Sequence, residues 1–164
     1  YSKGSSTYRR FTAAMEAAGI QPTALTETLT FELDKAQYTV YPPERTSYPN
    51  NEDNEYSLIV GVTHGENRFL FAGDALTERL GEFTALGEGT YDFLKVSNHG
   101  DYFEGVEAFF RAVSPKYAAI TCSDKNPADA RTVSALEAVG AQVFLTRDGS
   151  VKVTSDGRTI SVLQ

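Results

Sequence analysis

Apolar residues recur at helical spacing at Tyr8, Phe11, Ala14, Met15 and Ala18, with Gly19 after them as a stop. The spacing predicts a surface helix over about residues 5–18. Beyond Pro22, residues 29–33 and 37–41 read as two short strands about the turn Asp34-Lys35-Ala36. They are closed by Pro42-Pro43, which cannot continue a ladder. Residues 43–54, dense in Pro, Asn, Glu, Asp and Ser, carry no periodicity and predict a loop. Two apolar runs, 56–62 and 68–71, predict a hairpin across the Gly-containing stretch 63–67. A short helix over 76–86 follows, weakened by Gly81, and then a buried strand at 93–96. Val106, Phe109, Phe110 and Val113 share one face of a helix over about 103–113, which Pro115 separates from a strand at 117–121. A helix at 128–139 and a strand at 142–146 complete a strand, helix, strand pattern. The tail, 151–154 and 159–163, reads as a β meander punctuated by Asp148-Gly149 and Asp156-Gly157. There is no internal repeat or heptad pattern. The predicted class is α/β, a mixed sheet with flanking helices in one domain spanning 1–164.

Reactive groups in α/β proteins gather at the carboxyl ends of strands, where loops from several strands line one cleft. Two segments fit that rule. In Phe69-Leu70-Phe71-Ala72-Gly73-Asp74-Ala75 an apolar strand delivers Asp74 to its end, where the carboxylate can ligate a metal or cap the following helix. In Phe93-Leu94-Lys95-Val96-Ser97-Asn98-His99-Gly100-Asp101 a histidine follows a strand in a tight loop, either as a ligand or as a hydrogen-bonded loop residue. The other histidine, His64, falls in the expected 63–67 hairpin loop and reads as a solvated turn residue without a role. Cys122 reads as a small packed residue near a strand end, with no paired base to make it a nucleophile.

Composition narrows the functional classes. Hydrophobic residues make up 41% and charged residues 23%, which suits a folded core. The formal charge of −7 disfavours nucleic-acid phosphates and anionic membrane surfaces. No apolar run is long enough to span a bilayer. One cysteine builds neither an internal disulfide nor a thiolate zinc site, and leaves the compartment open. The opening Tyr1-Ser2-Lys3-Gly4 has no initiator Met and no apolar signal core, so a preceding segment is expected to be missing.

Three segments, Asn54-Glu55-Tyr56-Ser57-Leu58-Ile59-Val60, then Arg68-Phe69-Leu70-Phe71-Ala72-Gly73-Asp74-Ala75, then Leu94-Lys95-Val96-Ser97-Asn98-His99-Gly100, occur in a recognisable order. From about Phe31 onward the chain resembles the later half of a metallo-β-lactamase superfamily hydrolase. The likeness is to the branch that contains the hydrolase domain of DNA-uptake competence proteins and the phosphorylcholine esterases. The resemblance implies an αββα sandwich whose strand-end loops bind two zinc ions, with manganese or iron as alternatives. The metals activate a water that hydrolyses a small-molecule ester or phosphoester. It implies that Asp74 bridges the metals, that His99 ligates one, and that both are catalytic through the metal. Asn98 stands where many relatives have the first His of a His-His-Gly pair, a substrate-contacting position. The family's His-x-His-x-Asp-His motif is absent, and the chain has two histidines in all. The resemblance therefore implies a C-terminal half that does not hold the metals fully and is inactive alone. Its expected partner is the missing N-terminal half or a second copy, covering the apolar face that half a sandwich exposes. The alternative is a degenerate, non-catalytic domain serving as a structural or interaction module. A third reading is an α/β binding module without metal, in which Asp74 is a helix cap.

Overall fold

Helix α1 (Ser6–Ala17) starts where Ser5 Oγ accepts the Tyr8 N–H at 3.0 Å, a side-chain cap for an otherwise unpaired donor. It buries none of its residues. The computed structural model describes residues 5–49 and 52–164; the opening residues 1–4, and residues 50 and 51 of the expected loop, lie outside the described residues.

After α1 come strands β1 (Leu29–Leu33), β2 (Ala36–Tyr41), β3 (Ile59–His64) and β4 (Asn67–Phe71), an antiparallel meander. The first turn is two residues, Asp34 and Lys35, both at positive φ, the hairpin geometry whose twist matches the strands. The second is tighter than its sequence predicts. β3 runs through His64 and pairs it with Asn67, leaving Gly65 and Glu66 as the turn. His64 is thus a strand residue, with Nδ1 3.0 Å from Ser155 Oγ. The C-terminal hairpin presses on this turn: Glu66 N donates to Gly157 O at 2.7 Å, and a Cβ at Gly65 would fall on the Gly157 carbonyl.

From β4 the sheet continues in parallel through β5 (Phe93–Lys95), β6 (Tyr117–Ile120) and β7 (Gln142–Leu145). Helices α2 (Thr77–Ala85), α3 (Val106–Val113) and α4 (Ala130–Ala138) make the crossovers. The seven strands lie in sequence order in one mixed sheet, so the architecture is α/β as the patterning predicts. The tail forms a separate two-stranded sheet, β8 (Lys152–Ser155) and β9 (Ile160–Leu163), rather than extending a meander.

The core lies on one face. Leu70, Leu94, Ala118 and Ile120 project from the sheet against Leu80 and Phe83 of α2, Val106, Phe109 and Phe110 of α3, and Leu136 of α4, all buried. Strand alternation sends Phe69, Phe71, Phe93, Tyr117 and Phe144 to the opposite face. There Phe93 lies 6.3 Å from the Phe69 ring and 6.2 Å from Phe71. The β8–β9 hairpin is anchored at one end by Ser155 Oγ donating to Asn67 Oδ1 on β4 and at the other by Gln164 Nε2 donating to the Leu145 carbonyl at the end of β7. Toward the β1 edge this face is bare: Leu29, Phe31, Leu33 and Phe71 are exposed.

Helix α2 is fixed by charge as well as packing. Arg79 is 1% exposed, and its guanidinium donates to Tyr41 O at 2.7 Å, Ser57 O at 3.1 Å and Glu82 Oε2 at 3.4 Å. Burial pushes its pKa down while Glu82 pulls it back. Tyr48 donates to the same Glu82 carboxylate, and burial followed by that bond pushes its phenol up to about 12.

Candidate functional site

The parallel strands β4 and β5 end side by side, with Phe71 opposite Lys95, so the residues that follow them emerge at one edge. Asp74 lies three residues past the end of β4 and His99 four past the end of β5. Their nearest atoms, Asp74 Oδ1 and His99 Nε2, are 3.6 Å apart. Both side chains are open to solvent, 43% and 59% exposed.

The backbone around His99 is unusual. Asn98 (φ 41, ψ 47) and His99 (φ 54, ψ 18) are both left-handed, and Gly100 follows at φ 82. Successive non-glycine residues in that region store roughly 1–3 kcal/mol each and persist only where surroundings enforce them. The enforcement is visible. Asp129 N donates to Gly100 O at 3.1 Å, Asn98 N donates to Gly73 O at 3.3 Å, and a Cβ at Gly100 would lie 2.6 Å from Ile120 Cγ2. The loop is pressed so closely on β6 that only glycine fits there.

Protonation of the imidazole follows from its partners. His99 Nδ1 is 2.9 Å from the Thr121 carbonyl and 3.0 Å from Thr121 Oγ1. A carbonyl only accepts, so Nδ1 carries a hydrogen, and in the neutral ring the lone pair is on Nε2, the nitrogen that faces Asp74. This arrangement, a backbone carbonyl orienting one ring nitrogen while the other is free, is how proteins prepare a histidine for a metal. Two ligands about 2.1 Å from one zinc at the tetrahedral angle lie about 3.4 Å apart, close to the separation here. The pair therefore fits two adjacent corners of a metal's coordination shell. Among the described residues no group of three or more His, Cys, Asp or Glu is gathered to complete one.

Asp74 does not cap α2. The helix starts after Leu76, which makes no side-chain cap, and the Glu55 carboxylate instead accepts the N–H groups of Glu78 at 3.0 Å and Arg79 at 2.8 Å. Asp74 is held through its own N–H, which donates to Ser57 Oγ at 3.2 Å. Lys95 Nζ donates to Gly73 O at 2.9 Å and lies 3.7 Å from Asp74 Oδ1. Burial pushes the Lys95 pKa down, and the Asp74 charge opposes the shift. Asn98 is a bridge: its Oδ1 accepts from Asn54 Nδ2 at 3.4 Å and its Nδ2 donates to Asp101 Oδ2 at 3.3 Å.

Asp74, Asn98 and His99 are thus brought together, and Asn54 and Ser57 of the earlier segment join them. His64 is at the other end of β4's hairpin and takes no part. Cys122 is half-buried just past β6, with its backbone tied to Thr146 Oγ1 in both directions at 2.9 Å. Sequence reasoning assigned no role to Thr121, Ser57, Glu55 or Lys95. Thr121, just past β6, and Ser57, just after the 3-10 turn that precedes β3, act from distant segments and carry no local signal, whereas an uncommon Lys inside the apolar run 93–96 is a visible one. Among the described residues no helix is long and apolar enough to cross a membrane. No family model matches the chain, and no curated protein matches it either.

Proposed function

We propose that this chain contributes part of the site of a metal-dependent hydrolase of the metallo-β-lactamase type, acting on an ester or phosphoester. In this reading Asp74 and His99 are metal ligands, the metal is zinc with manganese or iron as alternatives, and Asn98 hydrogen-bonds the substrate. The observation that carries it is the position of His99 Nε2, with the ring oriented by the Thr121 carbonyl, 3.6 Å from Asp74 Oδ1 at the ends of neighbouring parallel strands. A bound divalent metal supplies a water acidified toward neutral pH and a positive charge for the developing oxyanion. The chain's own residues do the positioning. Thr121 keeps the hydrogen on Nδ1, Lys95 and Ser57 fix the turn that carries Asp74, and Asn54 and Asp101 orient the Asn98 amide.

The second reading, a non-catalytic module of the same shape, is favoured by one observation. The Lys95 ammonium, 3.7 Å from Asp74 Oδ1, already supplies that carboxylate with a counter-charge. Zinc titration followed by the imidazole nitrogen resonances of His99 separates the two. The hydrolase reading expects a saturable shift at Nε2 with Nδ1 still protonated, lost in Asp74→Asn. Resonances that do not respond to zinc favour the non-catalytic module.

A further inference from the structure

Strand β1 forms one edge of the seven-stranded sheet, and all five of its residues, Leu29 to Leu33, are exposed. An edge strand offers unpaired backbone N–H and C=O groups to another strand. The hairpin fixes which ones. Asp34 and Lys35, both at positive φ, make a two-residue loop between Leu33 and Ala36, and a loop of that kind is closed by a hydrogen-bonded pair. Bonded and non-bonded pairs alternate along an antiparallel ladder. Leu29, Phe31 and Leu33 therefore bond β2, while Thr30 and Glu32 turn their N–H and C=O groups outward. Among the described residues neither of these two makes a backbone bond outside the sheet. Edges are commonly blocked by proline, lysine or a bulge. β1 has none of these, and its one charge is Glu32. The opposite edge, β7, is partly occupied, because Gln164 Nε2 donates to Leu145 O.

We propose that β1 is a dimerisation edge, which pairs antiparallel with β1 of a second copy of this chain about a twofold axis at Phe31. The strand's own sequence selects that register. Centred on Phe31, every residue of each strand is paired: Leu29 opposite Leu33, Thr30 opposite Glu32, and Phe31 opposite its own copy. Thr30 and Glu32 carry the outward groups, so they make the bonded pairs on both sides of the axis. Phe31 falls at a non-bonded pair, where side chains come closest. There it extends an existing row. Phe31 stacks on Tyr38 with ring centroids 5.2 Å apart, and the sheet register continues through Val62, Phe69 and Phe93. An axis at Glu32 would instead set two carboxylates opposite each other, which is unfavourable. Charge beyond the strand agrees with the Phe31 axis. It brings Glu27 of each copy alongside Lys35 of the other, and neither residue makes an ion pair among the described residues. A twofold contact repeats each such pair. Register and charge thus fit a second copy in particular. The inference is independent of the hydrolase reading, since β1 lies three strands from β4, which carries Asp74.

The test combines sedimentation velocity of the whole chain with disulfide trapping. A contact this short falls at the low end of interface sizes, below roughly 1,200 Å², so a reversible, concentration-dependent dimer is expected. Thr30→Pro removes an outward N–H from each copy while leaving the apolar side chains and the bonds to β2 in place, as proline on an edge strand can. It is expected to weaken the dimer about tenfold, and Thr30→Ala to leave it intact. At low salt Glu27→Lys is expected to weaken it several-fold, and adding Lys35→Glu to recover the parent affinity. Trapping reads the register directly. A non-bonded pair sets Cα atoms about 4.5 Å apart, within reach of a disulfide. With oxidised glutathione and Cys122→Ser in every sample, Phe31→Cys is expected to cross-link to itself. Leu29→Cys alone is expected not to, but to cross-link when mixed with Leu33→Cys. A dimer that Thr30→Pro leaves unchanged, or Leu29→Cys cross-linking to itself as readily as Phe31→Cys, overturns the proposal. So does a monomer at every concentration, which would leave the edge to an extended segment of a different protein.

Discussion

At the scale of single residues, the most constrained position is Gly100. Its φ of 82 and the 2.6 Å approach of Ile120 to a would-be Cβ leave no room for a side chain, and its two predecessors are already left-handed. Gly100→Ala is expected to destabilise the fold by about 2 kcal/mol, through both the backbone penalty and the clash. It should also swing His99 off the Thr121 carbonyl. Urea midpoints report the first effect and the Nδ1 proton resonance of His99 the second; a spectrum like the parent's would show that the loop does not position the imidazole. The sequence displays His99 next to a glycine but not why the glycine is there. The reason is the proximity of β6, some twenty residues later in the chain.

At the scale of elements, the entry ends of the parallel strands are tied by Asp92. Its carboxylate accepts from Arg68 N on β4 at 2.9 Å and from Lys116 Nζ before β6 at 2.8 Å. Its backbone pairs with Arg68 O and Tyr117 N. Burial disfavours the charged form, but the Lys116 and Arg68 hydrogen bonds outweigh it and hold the carboxyl below its usual value. The folded chain keeps Asp92 ionised at pH values where the unfolded chain, titrating near about pH 3.9, has begun to bind the proton. The contribution is therefore complete well above pH 4 and drains away as pH falls through the folded value. Denaturation midpoints measured from pH 6 to pH 3 should fall more steeply for the parent than for Asp92→Asn. Parallel curves would remove Asp92 from the account of acid stability. The capping of α2 by Glu55 belongs to this scale too. It replaces the local cap that Asp74 offered on paper, because the 3-10 turn at Asp53–Tyr56 brings a carboxylate to the helix start.

At the scale of the whole molecule, the two faces of the sheet are unequal. Helices seal one, while the other is covered in part by the β8–β9 hairpin and bare over β1, with Phe31 at 43% and Leu33 at 56% exposed. A contiguous apolar surface of this kind favours association in water. Sedimentation velocity over a range of concentrations is expected to show self-association that Phe31→Glu with Leu33→Lys reduces. A single monomeric boundary at every concentration would contradict it. Both substitutions sit on an exposed edge strand, so the core facing the helices is untouched.

Local chemistry was enough to write down nearly every element. Helical spacing in 106–113, the positive-φ turn at Asp34-Lys35 and apolar runs bounded by Gly or Pro are properties of neighbouring residues, and neighbours are what a sequence lists. The same local rule delivered Asp74, Asn98 and His99 to strand ends, because strand followed by loop is a sequential fact. What only the tertiary structure decided is which ends are adjacent and what each side chain meets there. The parallel pairing of β4 with β5 sets Asp74 beside His99, and the pairing of β5 with β6 brings the Thr121 carbonyl that fixes the imidazole tautomer. It also put His64 in a strand instead of a loop, since the register was completed by a hairpin some ninety residues away. Hydrogen bonds between distant segments depend on closure of the sheet, and no periodicity along the chain encodes them.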